Sequence, residues 1–462
     1  MAILAADTPL SPLGMSAPVR SIVGPTLRSA TVIRVALLLL VVGNLGRVPI
    51  ASVGPKDAPV LFNDLLVVAI LAAGLFAGLR ARSWRLDSVG ALAIGFAAVG
   101  GASAVLAVPR FGLTGFELAF SLAYLARWLA YFGIYLVAIN TLREADALSV
   151  WQALETAILV FAVFGIVQSL FLPGFAQLVY PESVRYVDWD PQGRRLVSTL
   201  LDPNFAGCLI EIALLVLLAK LAVGGAVPWW KPLVLFVALL LTLSRGSVLA
   251  FAVGGVVILL ARGLSRRLVR LAAVVAALCL PFAPVLLDFA RAFNKLKIDA
   301  SALARVTMWL RGLTVFADHP VIGVGFNTYG FIQRAYGWLP GGKGTFGIEG
   351  GLLFVAVMTG LVGVALYVGM IAVVLRRCRG AWRDPERSTD DRGLAIGVAA
   401  ATIAVVVHSL FVNSLVYPLI MEPLWILWAL VFVTTPRRHS QTTPAPGPVV
   451  VSLPPALAGG AM

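Results

Sequence analysis

Charged side chains are scarce in this chain, and cysteine is scarcer still. Asp, Glu, Lys and Arg make up only 13% of the 462 residues, whereas 60% are hydrophobic. A soluble protein with that ratio would expose apolar surface everywhere, so the composition excludes a soluble globular class. The three cysteines cannot all pair: Cys208 and Cys279 fall in apolar runs and Cys378 in a basic loop, which argues against a disulfide framework. The chain is predicted to be a polytopic membrane protein.

Long apolar runs dominate the sequence. A bilayer core of about 30 Å needs roughly 20 apolar residues per helix, so the runs predict an all-α fold with about twelve transmembrane helices. The predicted spans lie near residues 31–48, 59–79, 87–107, 117–141, 150–172, 203–222, 231–245, 247–262, 268–286, 348–375, 393–412 and 417–435. They form one transmembrane domain at 31–436. The flanking tails, 1–30 and the Pro-rich 437–462, are predicted to be disordered.

Lysine and arginine in the short loops determine the predicted orientation. They fall on the side shared with both termini, which is therefore predicted to be cytoplasmic. The long loops 173–202 and 287–347 then lie outside, and the second, before the tenth span, is predicted to contain short helices. Both are basic, which indicates an anionic partner there rather than nucleic acid. Their basic residues are Arg185, Arg194, Arg195, Arg291, Lys295, Lys297, Arg305, Arg311, Arg334 and Lys343.

Arg127 lies near the middle of the fourth predicted span, where an unpaired charge costs roughly 3 kcal/mol. At 100° per residue it shares a stripe with Tyr124, Tyr131 and Tyr135. Such a face suits sugar rings and phosphates, so Arg127 is a candidate substrate-binding residue. The alternative is a buried ion pair with Glu211 of the sixth span.

Polar residues also mark the sixth span and the hairpin that separates the seventh and eighth spans. Glu211 shares a helical face with Asn204, and both are candidates for substrate binding, with a helix-packing hydrogen bond as the alternative. Arg245 lies in the interruption Ser244-Arg245-Gly246-Ser247, read as a tight hairpin. Flanking hydroxyls and a glycine allow it to bind a phosphate bidentately. Snorkelling to lipid headgroups is the alternative.

A helix is predicted inside the second long loop, from Asp299 or Ser301 as N-cap to about Phe316. Arg305 and Trp309 share one face of this helix. That face can line a cavity, which makes both residues candidates for contact with substrate.

Arg311 lies about 120° from Arg305 on the same helix, so one arginine can enter a cavity while the other holds the loop. His319 precedes Pro320, and the helix is predicted to end there because a residue before proline is pushed out of the α region. A turn is predicted at residues 323–325. His319 is a candidate base, with a backbone contact in the turn as the alternative.

Two carboxylate positions remain. Asp188 and Asp190 have the spacing by which two hard oxygens can hold a divalent cation, with a solvated charge cluster as the alternative reading. Glu349 opens the tenth span, directly after a Gly-rich segment. A carboxylate at a membrane boundary can act as a general base. Compensation of the helix dipole is the alternative role.

Several of these motifs, taken in order, resemble the O-antigen ligase and polymerase superfamily of bacterial membrane glycosyltransferases. The resemblance covers roughly residues 200–370 and is extended by the twelve-span topology. The matching motifs are Asp202-Pro203-Asn204-Phe205-Ala206, Leu243-Ser244-Arg245-Gly246, Arg305 through Trp309, His319-Pro320-Val321-Ile322-Gly323-Val324-Gly325 and Met358-Thr359-Gly360-Leu361-Val362-Gly363.

The resemblance implies transfer of a glycan from an undecaprenyl diphosphate carrier to a glycan or lipid acceptor, at the outer face of the inner membrane, without metal, nucleotide or other cofactor. Carried over, Arg245 and Arg305 would neutralise the leaving diphosphate, with Arg311 a weaker candidate. The ligases usually have histidine at the start of the tenth span, where this chain has Glu349.

That departure favours an exopolysaccharide or O-antigen polymerase over a ligase acting on lipid A core. The rival from another class is a transporter or flippase of the same lipid-linked sugars, which would need no base. It predicts essential charges on both sides of the membrane midplane, whereas a transferase predicts charges clustered outside. Arg245, Arg305 and Glu349 favour the transferase.

Overall fold

A computed structural model describes residues 29–46, 48–53, 56–81, 84–179, 193–263, 266–267, 269–270, 273, 300–338 and 347–434. Helices dominate these residues. They are α1 (Ser29–Leu39), α2 (Phe62–Ala81), α3 (Ser88–Phe111), α4 (Gly115–Thr141), α5 (Glu144–Phe171), α6 (Phe175–Val179), α7 (Pro203–Ala222), α8 (Trp230–Leu241), α9 (Arg245–Arg262), α10 (Ala300–Asp318), α11 (Tyr329–Ile332), α12 (Gly351–Arg383), α13 (Thr389–His408) and α14 (Pro418–Val433).

Seven of these helices, α3, α4, α5, α7, α9, α12 and α13, are long and apolar enough to cross a membrane. Four shorter apolar helices, at 30–45, 62–78, 230–241 and 418–433, accompany them. Together they coincide with every predicted span except 268–286, which lies largely outside the described residues. The protein is therefore a polytopic membrane protein, as predicted. The predicted tails lie outside the described residues apart from positions 29 and 30.

Local sequence signals explain where several helices begin. Asp202 caps α7 by accepting hydrogen bonds from the main-chain N–H groups of Asn204 and Phe205. Ser244 caps α9 in the same way, through Ser247. Such caps satisfy the otherwise unpaired N–H groups of a first helical turn. A tight turn separates α8 from α9, as predicted, but it lies at residues 242–244. Arg245, Gly246 and Ser247 of the predicted hairpin instead form the first turn of α9.

Two features differ from the sequence expectation. A short antiparallel hairpin, β1 (Val48–Val53) and β2 (Lys56–Val60), follows the first span, so the fold is not purely helical. Cys378 does not lie in a loop. It is buried, because α12 continues as far as Arg383 and carries the basic residues on its last turns.

Helix α7 is the central element of the bundle. Nearly all of its side chains are buried, since α13, α9 and α8 pack around it. Aromatic residues fill the neighbouring space between α3, α4 and α14. The Trp128 ring lies 5.0 Å from that of Phe96 and 5.7 Å from that of Trp425. Edge-to-face and tilted contacts of this kind are favourable beyond their buried area.

Helix α12 is broken at Gly360, whose φ of 62° and ψ of −166° leave the helical region. The segment 320–325, which follows α10, inserts beside the break. Four main-chain hydrogen bonds bridge it: Val324 N to Val357 O at 3.0 Å, Gly325 N to Met358 O at 2.9 Å, Leu361 N to Pro320 O at 2.7 Å and Val362 N to Val321 O at 3.2 Å. Backbone groups freed at membrane depth need such partners.

Candidate functional site

Helices α7, α9, α12 and α14 begin, and α13 ends, at one end of the bundle, which we call the site end. The turn 409–413 after α13 connects them. The main-chain N–H of Gly351 donates to the carbonyl of Ser409 at 2.5 Å, and the Asn413 amide donates to the carbonyl of Ile348 at 2.6 Å. The start of α12 is thereby fixed to the end of α13.

A buried hydrogen-bond network holds the starts of α7 and α9 against the end of α13. The Ser244 hydroxyl donates to the Asn204 side-chain oxygen at 2.9 Å, and it lies 2.9 Å from the Ser247 hydroxyl. The Ser247 hydroxyl is 3.0 Å from Nε2 of His408, whose Nδ1 is 2.6 Å from the Ser414 hydroxyl. The Asn204 side-chain oxygen is therefore bound within the protein and positions Ser244, the residue that precedes Arg245.

Arg245 and Glu349 flank the same turn. A Cβ added to Gly246, the neighbour of Arg245, would lie 3.2 Å from the Phe411 ring. A Cβ added to Gly350, the neighbour of Glu349, would lie 3.6 Å from the carbonyl oxygen of Leu410. The main chain next to each of these two candidates, more than a hundred positions apart in sequence, thus packs against the same turn.

Helix α10 packs along the start of α12 with the face predicted from the sequence. Trp309 donates its indole N–H to the main-chain carbonyl of Glu349 at 2.8 Å. A Cβ on Gly312, one turn further, would lie 3.2 Å from Leu353. Arg305 lies one turn before Trp309 on the same face; the described side chains of this helix begin at Val306. Trp309 thus positions the main chain of Glu349.

Glu211 lies about two turns below Asn204 on α7. Its side chain is fully buried, and the described residues offer no hydrogen-bond partner to either carboxylate oxygen. Cys208, one turn earlier on α7, is its polar neighbour, and Ser414 lies beside Cys208. The polar stripe predicted for this helix therefore runs inward from the site end and ends at a buried carboxyl group.

The predicted ion pair between Arg127 and Glu211 is wrong. Arg127 instead binds both carboxylate oxygens of Asp64 on α2, at 2.9 Å and 2.7 Å. The neighbouring residue on α2, Asn63, donates its side-chain amide to Glu422 of α14 at 3.2 Å. Sequence reasoning chose the wrong acid because hydropathy does not show which helices are neighbours. Helix α2 packs on α4, whereas α7, which carries Glu211, packs mainly on α13.

His319 and Arg311 lie apart from the Arg245 and Glu349 pair. Nδ1 of His319 is 3.3 Å from the guanidinium of Arg110, and its ring packs edge-on against Phe111. Burial, and then the charge of Arg110, lower the pKa of His319, while Asp318 opposes the shift. A lowered pKa favours the neutral imidazole.

The guanidinium of Arg311 lies 5.2 Å from the centre of the Trp338 ring. The Tyr336 ring stacks on Trp338, and its hydroxyl donates to Asp318 at 2.9 Å. A cation held over an aromatic face in this way stabilises a loop. Arg311 thus contacts the loop 318–338, while the side chain of Arg305 lies outside the described part of the chain.

Sequence reasoning missed His408, which links α13 to α9 and to Ser414 at the centre of the buried network. The available signal was an ionisable side chain near the end of an apolar span, since such residues are costly in a membrane and usually have a defined polar partner. The network partners were not readable from sequence, because they come from α9 and from the turn after α13.

No three His, Cys, Asp or Glu side chains within the described ranges lie close enough together to hold a metal ion. Asp188 and Asp190, the candidate pair for a divalent cation, lie outside those ranges.

The fold and this end of the bundle define a polytopic α-helical membrane protein with a basic and carboxylate-bearing site where several helices begin. Residues 233–368 match the family described as O-antigen ligase. The match covers less than a third of the chain and confirms, for this region, the predicted resemblance to the O-antigen ligase and polymerase superfamily, whose members are glycosyltransferase-like enzymes. The matched region contains Arg245, Arg305 and Glu349. It also contains helix α10 and the segment 320–325 that pairs across the break in α12. No curated protein matches the chain.

Proposed function

We propose that this protein polymerises or transfers glycans carried on undecaprenyl diphosphate, at the outer face of the bacterial inner membrane. An exopolysaccharide or O-antigen polymerase is the form we favour. The observation that supports it is the arrangement of Arg245 and Glu349 on either side of the turn 409–413, within the region matched by the O-antigen ligase family.

The proposed chemistry assigns one task to each group. An acceptor hydroxyl attacks the anomeric carbon of the donor sugar, the bond from that carbon to the phosphate oxygen breaks, and the diphosphate leaves on its lipid. Arg245, together with Arg305, neutralises the negative charge that develops on the diphosphate. Glu349 accepts the proton of the acceptor hydroxyl. No step requires an oxidant or a nucleotide.

The structure supports a fixed position for both proposed groups. Arg245 follows a capped turn that is tied through Ser247 to His408. Glu349 is held by its main chain, which accepts from Trp309 and precedes the Gly351 bond to the turn. Groups held in this way lose little further freedom when substrate binds, which is the advantage of a preorganised site.

A ligase that transfers glycan to an acceptor such as lipid A core would use the same end of the molecule. Reconstitution separates the two activities. Purified protein is given an undecaprenyl diphosphate oligosaccharide, either alone or with a lipid A core acceptor. A ladder of longer lipid-linked products from the donor alone supports the polymerase; product only with the acceptor supports the ligase. Movement of intact donor across a vesicle membrane, with no new glycosidic bond, would instead identify a transporter.

A further inference from the structure

The opposite end of the bundle contains a cavity that the proposed reaction does not use. Its volume is about 480 Å³, and it lies between the last turns of α9 and α12 and the face of α13 that runs from Arg392 to Ile403. We call it the arginine cavity. Its lining is Val257, Leu260, Ala261, Arg262, Trp382, Arg383, Arg392 and Ile403.

Three guanidinium groups and no carboxylate line the arginine cavity. Arg392 is fixed at its mouth, because its Nε donates to the main-chain carbonyl of Trp382 at 3.2 Å. Arg262 and Arg383 are exposed, and neither makes an ion pair with the rest of the described chain. The cavity therefore carries a concentrated positive charge.

The nearest acidic residues are engaged elsewhere. Asp384 faces Arg387 at 3.5 Å, Asp390 binds Lys220 at 3.2 Å, and Asp391 accepts from the Ser388 hydroxyl at 2.7 Å. The charges of Asp384 and Asp390 are thus partly neutralised by basic groups outside the cavity, and none of the three carboxylates lines it. An anion entering it meets three cations with little opposing charge.

The remaining walls are apolar and continue onto the outer surface of the bundle. Leu260 is 84% exposed, although it lies on an apolar membrane-spanning helix. The Trp382 side chain is half-buried at the same level, as is typical of tryptophan at a membrane interface. A soluble anion would use only the arginines, whereas a lipid would use both the arginines and this surface.

We propose that the arginine cavity binds an anionic phospholipid, with its phosphate against Arg262, Arg383 and Arg392 and an acyl chain along Leu260. Guanidinium forks match phosphate oxygens bidentately. Basic pockets between transmembrane helices suit anionic headgroups, and each arginine near the surface contributes about a fivefold gain in affinity. The site is separate from Arg245 and Glu349, which lie at the other ends of α9 and α12.

The experiment is native mass spectrometry of the full-length protein in detergent. The protein is titrated with phosphatidylglycerol and, separately, with phosphatidylcholine that has the same acyl chains. We expect one tightly bound phosphatidylglycerol, with phosphatidylcholine much weaker. The Arg262→Gln/Arg383→Gln double variant should lose about thirtyfold in phosphatidylglycerol affinity. Each single variant should lose part of it.

A matched control distinguishes the cavity from the general charge of this end. Arg376 and Arg379 are exposed on the same last turns of α12 but do not line the cavity. The Arg376→Gln/Arg379→Gln variant, which removes equal charge, should bind as the wild type does. Equal loss in both double variants, or equal binding of the two lipids, would overturn the proposal. Displacement of the lipid by millimolar inorganic phosphate would instead identify a small-anion site.

Discussion

The Ser247 hydroxyl lies 3.0 Å from Nε2 of His408, across the interface between the start of α9 and the end of α13. The other ring nitrogen of His408 is 2.6 Å from the Ser414 hydroxyl, so both nitrogens are used. One side chain thereby fixes the start of α9, where Arg245 lies, relative to the segment that follows α13. His408 is a positioning residue in this arrangement and does not itself need to contact substrate.

Replacing His408 should weaken donor binding more than the chemical step. His408→Ala leaves buried hydroxyl groups without partners, at a cost of about 1–3 kcal/mol each. We expect a lower melting temperature and a raised KM for donor, with kcat changed less. Thr402→Val is a matched control. Thr402 lies on the same helix as His408, away from the site, and accepts a buried 2.9 Å hydrogen bond from Trp428 of α14. Thr402→Val should lower the melting temperature but leave KM unchanged; equal KM effects would contradict the positioning role.

Arg245→Ala should abolish glycan transfer while the protein still inserts and accumulates, because a contact to the leaving diphosphate is lost. Arg245→Lys should restore activity only in part, since an ammonium group cannot reproduce the planar fork of guanidinium. Polymer length on gels and membrane abundance are the measurements. Arg266→Ala, an exposed arginine at the other end, is the control. Polymer of wild-type length from Arg245→Ala would remove this residue from the mechanism.

Glu349→Gln should lower turnover by roughly a hundredfold or more with donor binding retained, as expected when a general base is lost. Single-turnover kinetics with purified donor separate the two effects. Glu144→Gln, a carboxylate at the start of α5, serves as control. Turnover should also persist in chelator. Activity that requires an added divalent cation would direct attention to Asp188 and Asp190 instead.

The ion pair between Arg127 and Asp64 allows a test of whether Arg127 has a structural role or binds substrate. Removing one partner leaves a charge in the bundle, so Arg127→Ala and Asp64→Ala should each destabilise by about 3 kcal/mol. The double variant should recover much of that loss. If the pair is only structural, recovered stability brings recovered activity. An inactive but stable double variant would show that Arg127 contacts substrate.

The predicted orientation can be tested by labelling. In a variant without native cysteines, a cysteine introduced by Ser301→Cys in the first turn of α10 should react with an impermeant thiol reagent added outside. Ser388 caps α13 at the opposite end of the bundle, and a cysteine introduced by Ser388→Cys should not react. The reverse pattern would place Arg245 and Glu349 on the cytoplasmic side, which is incompatible with the proposed reaction.

Hydropathy and capping predicted which segments are helical, because both depend on neighbours in sequence. The run ending at His319-Pro320 correctly indicated the end of α10 at Asp318. Side-chain partners were not predictable in the same way. Arg127 could be recognised as needing an acid, but only the packing of α2 on α4 selects Asp64 over Glu211. The break in α12 was missed for the same reason: its backbone partners come from residues 320–325.

The bridge across the break in α12 has a consequence for which substitutions the chain can tolerate. Its four hydrogen bonds join main-chain atoms, so they do not constrain the side chains of Val321 or Val324. Glycine is constrained: a Cβ at Gly323 would lie 2.5 Å from Val357 O, and one at Gly360 2.3 Å from Val321. Both glycines also have positive φ, which L side chains rarely adopt. Gly325 is constrained in the same way, because its φ is positive and a Cβ there would lie 2.5 Å from Ala104 Cα. In a saturation scan, this stretch should appear as three invariant glycines, whereas the exposed Val321 should be freely exchangeable.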